Sequence, residues 1–279
     1  MKKLFALVMA ILMVVTCFAA CGTPTKVDSN DSGKDPTEAP KKKVITVGYT
    51  NYEPMNYEDE NGELVGFDTE LAKKVFENLG YEVNFQLIEW SAKYTDLNAG
   101  TIDCVWNGFT CNTSDEDGIA RADKVDFSYN YMENQQVVVV KKGSGIASKD
   151  DLKGKTAGAE TGSAGETYAE DFEGVTVTQC VDQTSALMEL KSGTVDFAVL
   201  DFQLANSYCG KGDYADLEVV AGLESDLEYY AIGFKKGSDL TAKVNEQLEK
   251  LAEEGFIAEL AKKYGVENTT ITDFSDQKK

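Results

Sequence analysis

The sequence predicts an α/β protein made of two similar lobes, each a sheet whose strands are separated by helices. Two observations carry this. Short strand-like runs alternate with segments whose apolar residues recur at helical spacing, the pattern of βαβ units and a parallel sheet. That order occurs twice in succession, from Val44 to Trp106 and again from Lys155 to Leu200.

In chain order, Val44 to Val47 reads as the opening strand. Leu71, Val75, Phe76 and Leu79 fall on one helical face that Gly80 would cap. Glu82 to Ile88 alternates as a strand, Tyr94 and Leu97 mark a short helix ending before Gly100, and Ile102 to Trp106 is a further strand. The second set runs as strand Lys155 to Ala159, helix Gly165 to Phe172, strand Val175 to Cys180 and helix Gln183 to Ser192 closed by Gly193. It ends in a buried strand, Val195 to Leu200. Val137 to Val140 and Tyr229 to Phe234 are extended runs expected to cross between the lobes. Leu240 to Tyr264 reads as a helical tail with Leu248, Leu251, Ala252, Ile257 and Leu260 on its apolar face. Ligands of such sheets bind at the carboxyl ends of strands, so the cleft between the lobes is the expected site.

The first 43 residues read differently. Lys2 and Lys3 precede an apolar run from Leu4 to Ala20 that ends in small residues before Cys21. This is a secretory signal (residues 1–20) rather than a membrane span. Phe18-Ala19-Ala20-Cys21 resembles a bacterial lipobox, which would make Cys21 the lipidated first residue of the mature chain. Two acyl chains suffice for stable anchoring. Residues 21–43, polar and lysine-rich at their end, hold too little apolar surface to order and are expected to be a disordered tether. The localisation that follows is extracytoplasmic, on the outer face of the cytoplasmic membrane.

With 48 acidic residues against 27 basic ones and a net charge of −21, the chain lacks what nucleic acid or broad contact with anionic lipid requires. Membrane contact is expected through the lipid alone. There is no histidine, and Cys104, Cys111, Cys180 and Cys209 show no metal-ligand spacing, so no metal or other cofactor is expected. Those four cysteines allow three pairings, and nothing in the sequence requires any of them.

Arg121 is the only arginine of the chain. Where lysine serves everywhere else, one arginine points to a planar fork that grips a carboxylate or phosphate through two parallel hydrogen bonds. Three segments follow predicted strands. Trp106-Asn107-Gly108-Phe109-Thr110 leaves the third strand. Thr161 to Glu166 is a glycine-rich turn opening a helix; it either presents backbone N–H groups to an anion or is an ordinary cap, Ser163 with Glu166. Asp201 either caps the following helix or faces a bound cation.

These residues carry a resemblance. Glu60 to Asp68, Leu97 to Asp103, Arg121 to Ser128, Asp151 to Lys155, Thr161 to Ala164 and Leu190 to Asp196 match, in order, the substrate-binding proteins of polar amino-acid ABC transporters. These are the type 3 bacterial substrate-binding proteins, similar to the histidine-, lysine/arginine/ornithine- and glutamine-binding proteins. The resemblance implies a periplasmic-binding-protein-like fold: two Rossmann-like lobes joined by a two-strand hinge. Lobe 1 would comprise 44–135 and 233–279, and lobe 2 would comprise 136–232. It implies a monomer that closes on a free L-amino acid and delivers it to a permease driven by a separate ATPase.

Carried over by motif, Arg121 would clamp the ligand α-carboxylate, helped by Thr110 and by backbone donors at Ser163 and Ala164. Asp201 would pair with the α-ammonium beside the Gly108 carbonyl. Asn107 lies in the same segment, and Tyr52 and Trp90 match the aromatic positions that sandwich the side chain. Glu160 would line the side-chain pocket, favouring a basic or amide-bearing ligand over an acidic one. Two departures stand out. About six additional residues, Thr113 to Gly118, separate Thr110 from Arg121, and the loop before Tyr52 is a residue short with Met55 at a commonly aromatic position. An enzyme on the same fold, of the cyclohexadienyl or arogenate dehydratase kind, would need a proton-transferring side chain, for which Glu160 is the best candidate, with no recognisable partner. A ligand sensor is the remaining alternative.

Overall fold

The computed structural model describes residues 42–278; the expected signal, Cys21 and nearly all of the expected tether lie outside them. Two five-stranded sheets are present. In the first, Lys43–Tyr49 lies between Tyr81–Leu87 and Cys104–Val105, all parallel, and Gly233–Lys235 then runs antiparallel between Cys104–Val105 and Val125–Phe127. In the second, Thr156–Glu160 lies between Thr176–Cys180 and Phe197–Asp201, again parallel, and Gln136–Lys141 runs antiparallel between Phe197–Asp201 and Leu217–Val219. Each lobe thus repeats one plan, three parallel strands and then an antiparallel return.

A separate antiparallel pair, Met132–Asn134 with Glu228–Tyr230, links the lobes. Val137 to Val140, expected to cross, is instead buried in the second sheet. Four consecutive valines suit a strand covered on both faces, not a crossing exposed to water. Of the second expected crossing, only its first residues lie in the linking pair, and Gly233–Lys235 belongs to the first sheet.

Local chemistry sets the element ends. The helix Phe67–Asn78 buries Leu71, Val75 and Phe76 and is followed by Gly80 at φ 83°. The helix Gln183–Ser192 starts under the Asp182 carboxylate, which accepts from the Ser185 N–H, and stops at left-handed Gly193. The strand expected over Ile102 to Trp106 shortens to Cys104–Val105, because Trp106 to Thr110 turns away into the cleft. The helical tail is two helices, Leu240–Glu253 and Phe256–Tyr264, broken at Gly255 with φ 78°. Both pack on Phe67–Asn78, and Leu248, Leu251 and Ile257 are fully buried there.

Gly66, which precedes the helix Phe67–Asn78, has φ 126°, and a Cβ there would lie 2.1 Å from the Met55 carbonyl oxygen. Only glycine fits. Gly66→Ala should cost about 3 kcal/mol in urea unfolding, combining strain and clash. A loss below about 1 kcal/mol would show that this turn relaxes freely.

Candidate functional site

Both sheets aim the carboxyl ends of their parallel strands at one cleft. In the first lobe, Lys43–Tyr49 leads to Thr50, Tyr81–Leu87 to Trp90, and Cys104–Val105 to Asn107 and Gly108. In the second, one strand ends on Glu160, another ends on Asp201, and Gln183 opens the helix after the third. Trp90, Asn107, Gly108, Thr110, Arg121, Glu160, Ser163, Ala164 and Asp201 line a single closed-down cavity, together with Gln183, with room for little more than one water.

Tyr52, of the expected set, is not in that lining. It is 1 % exposed, and its hydroxyl bonds that of Tyr230 at 2.6 Å. Its ring lies under Gly108, where a Cβ would come within 2.7 Å of it. Tyr52 packs with Met55 and Tyr230 in the hydrophobic core. Gly108 has φ +56° and its N–H donates to the Asp68 carboxylate at 2.8 Å. Asn107 spends its side chain locally, donating to the Thr50 carbonyl and to Asn56 and accepting from the Thr50 hydroxyl. Trp90 stands edge-on to Phe109 with centroids 5.0 Å apart.

Arg121 reaches the cavity despite the additional residues before it. Those residues form a tight hairpin, with Ser114 bridged to Ala120 and the Gly118 N–H donating to the Asp115 carbonyl. Arg121 is 1 % exposed. Its Nε donates to Asp115 Oδ1 at 2.8 Å, Nη1 to the Thr110 carbonyl at 3.2 Å and Nη2 to the Gly162 carbonyl at 3.4 Å. Burial raises the Asp115 carboxyl, but Arg121 and then Lys124 outweigh it and hold its pKa below the usual value.

The glycine-rich turn is capped: Ser163 Oγ accepts from the Glu166 N–H at 3.0 Å. Glu166 reaches back to the Gly162 N–H and not to that of Ser163. The Ser163 N–H is taken by the Glu160 carbonyl at 3.1 Å, so it is not the free donor that the turn promised.

Asp201 precedes a helix without capping it through its side chain. Its carboxylate instead accepts from Asn134 at 2.7 Å, Gln136 at 2.6 Å and Gln183 at 2.5 Å. Asn134 and Gln136 also donate to Glu228, which accepts from the Thr110 hydroxyl at 3.1 Å. Glu160 is 3 % exposed, and its Oε1 has no hydrogen-bond partner among the described residues. Burial, then the charges of Asp201 and Asp182, push the Glu160 pKa well above the usual carboxylate range. Burial also raises Asp201 against its amide donors, and burial followed by Asp201 raises Glu228. Lys93, 2 % exposed, donates to the Gly162 carbonyl across the cleft at 3.0 Å and sits against the rings of Trp90 and Tyr94.

Gln183, Glu228, Asn134, Gln136, Lys93 and Asp115 were not singled out from sequence. The only signal was a glutamine pair ahead of the valine run and a glutamine at a helix start, neither of which marks a site unaided.

These shifts link folding to pH. Burial pushes Asp68 up to about 7 from 3.8. A carboxyl raised in the folded state stabilises fully below its unfolded pKa and loses that contribution as pH rises through the folded one. Glu160, Asp201 and Glu228 act in the same direction. Lys93, lowered to about 7 by burial and then Arg121, acts oppositely, but only from about 7 upward. The ligand-free protein should therefore melt at a higher temperature as pH falls from about 6.5 to about 5. A midpoint in calorimetry that is flat or falls over that interval would contradict these assignments.

Comparison with known proteins gives this geometry a lineage. Residues 45–267 match the family described as bacterial extracellular solute-binding proteins, family 3. The arginine-binding extracellular protein ArtP of Bacillus subtilis is 32% identical over 267 residues, covering 95% of this chain and 98% of its own. The L-cystine-binding protein TcyA of the same organism is 31% identical over 271 residues, covering 94% and 97%. Among solved structures, an ancestral arginine-binding protein bound to arginine is 36% identical, with a TM-score of 0.71, covering 79% of this chain and 97% of its own. These relatives are named as binding proteins and not as enzymes. With the family match spanning both sheets and the cleft between them, the chain belongs to the bacterial extracellular solute-binding proteins of family 3, the amino-acid-binding type of ABC transporters.

Proposed function

We propose that the protein captures a free L-amino acid with a basic side chain in its cleft and delivers it to an ABC permease, held at the membrane by lipid on Cys21. The observation that carries the ligand class is the charge layout of the cavity. One guanidinium and two carboxylates line it, Arg121 against Glu160 and Asp201. A basic amino acid carries the inverse set, one carboxylate and two cations. An acidic amino acid would set a second carboxylate beside Glu160.

In this reading the Nη edge of Arg121 takes the α-carboxylate. Asp201 and the Gly108 carbonyl take the α-ammonium, Trp90 lies along the side chain, and the unpartnered oxygen of Glu160 takes its far charge. A cation there restores the ionised form of Glu160 that burial disfavours. Ligand contacts would come from both lobes and so favour the closed state. Two direct bonds already cross the cleft, from Lys93 and Arg121 to the Gly162 carbonyl. The arginine-binding names among the relatives support the same class. Export and lipidation rest on the sequence from Met1 to Cys21, and delivery to a permease rests on the family.

The test is calorimetric titration of the unfolded-and-refolded protein with L-arginine. Arg121→Ala should weaken binding by about 2–5 kcal/mol, because one end of a buried charge pair is left alone. Arg121→Lys should lose most of the same, since a point charge does not fork. Wild-type affinity in Arg121→Ala would remove this residue from the site.

A further inference from the structure

We propose that Asp115, supplied by the additional hairpin Thr113 to Gly118, is the residue that orders the Arg121 fork for its ligand. It does so as a positioning residue that touches the arginine and not the ligand. The inference rests on the proposed binding role of Arg121 for its consequence, but on geometry for its substance.

A guanidinium has two edges that can grip a carboxylate. Asp115 does not take either edge with both oxygens. Oδ1 accepts from Arg121 Nε at 2.8 Å, while Oδ2 accepts from Lys124 Nζ at 2.8 Å. The bond to Nε fixes the plane of the guanidinium and leaves the Nη1–Nη2 edge without a carboxylate. The carbonyl contacts on that edge, to Thr110 and Gly162, are the longer ones. Phe109 stacks against the same group, 5.5 Å from ring centroid to Cζ.

Asp115 is itself anchored. It is shared with Lys124, which Asp117 of the same hairpin holds at 2.8 Å, and the hairpin closes through the Asp115 N–H to the Ile119 carbonyl. Arg121 and Lys124 lie one turn apart on the short helix that follows. The carboxylate of Asp115 therefore ties two successive basic residues of one helix to the loop before it. A long side chain with many rotamers needs such support to present a fixed fork. The additional residues, which at first sight push Arg121 away from the cleft, build the bracket that holds it there.

The single arginine makes the test direct. In protein labelled with ¹⁵N-arginine, one side-chain Nε–H resonance is expected, from Arg121, and no ligand is needed to see it. In the wild type this proton should exchange slowly with water and resonate downfield, as expected for a buried donor to a carboxylate. Asp115→Ala should abolish that protection and shift the signal, and Asp115→Asn, which keeps an acceptor oxygen, should restore part of it. Backbone amide spectra of both variants report whether the lobes stay folded. A protected, unshifted Nε–H in a folded Asp115→Ala protein would overturn the proposal.

Titration with unlabelled L-arginine then reads the consequence. Affinity should fall roughly 10- to 100-fold in Asp115→Ala, on the scale seen when a group that orients a metal-ligating side chain is lost. In an Arg121→Ala background the same change should have no further effect; an equal loss there would mean that Asp115 acts on the ligand or the fold by another route. Absence of L-arginine binding by the wild type would sink the proposed ligand class. The Nε–H comparison would still decide the role of Asp115.

Discussion

Charge held out of water in the cleft between the lobes is the constraint around which the structure is arranged. Arg121 and Lys93 are almost fully buried, as are Glu160, Asp201 and Asp68, with Glu228 close behind. Isolated, each would cost several kcal/mol. The fold partners these groups unevenly: Arg121 is paired with Asp115 through Nε alone, and one oxygen each of Glu160 and Asp68 is left without a partner among the described residues. Asp201 and Glu228 share neutral amide donors from Asn134 and Gln136, and Asp68 is held by the Tyr131 hydroxyl and the Gly108 N–H. Lys93 meets carbonyls and aromatic faces but no carboxylate. In the proposed binding mode the Nη edge of Arg121, the open oxygen of Glu160 and Asp201 would meet an incoming zwitterion.

The sharing of donors by Asp201 and Glu228 has a structural consequence. Asn134 and Glu228 lie on the strands that link the lobes, and Gln136 starts the second sheet. The group proposed to meet the α-ammonium is therefore wired to the connection between the lobes. The Thr110 hydroxyl brings the first-lobe site segment into the same network. In the proposed binding mode, a ligand cation at Asp201 would change the balance at the point where the lobes join and so offer a physical route from occupancy to closure.

Much of this was legible in the sequence, for reasons that particular residues show. The βαβ order and the Gly100 and Gly193 helix ends follow from periodicity and turn chemistry, which are local, and Asp201 stood out at a strand end; Gly108 and Glu160 were singled out through the family resemblance, and all three line the cavity. Arg121 stood out because it is alone of its kind. What could not be read is what depends on contacts between distant segments. Tyr52 turned inward because Met55 and Tyr230 gave it a buried place. Val137 to Val140 became a central strand because both of its faces are covered. Asp115 appeared only as part of an unexplained insertion, and its partner six residues on becomes apparent once the hairpin folds. The neutral donors around Asp201 have no sequence signature, since glutamine and asparagine are ordinary surface residues elsewhere.

The central claim is that the cavity selects the positive charge of a basic side chain. L-citrulline has the length and shape of L-arginine but a neutral urea in place of the guanidinium, so the pair isolates that charge. Calorimetric titration of ligand-stripped protein should give L-arginine at least about 2 kcal/mol more binding energy, roughly 30-fold in affinity, because Glu160 is buried and otherwise unpaired. Equal affinities for the two would contradict the account.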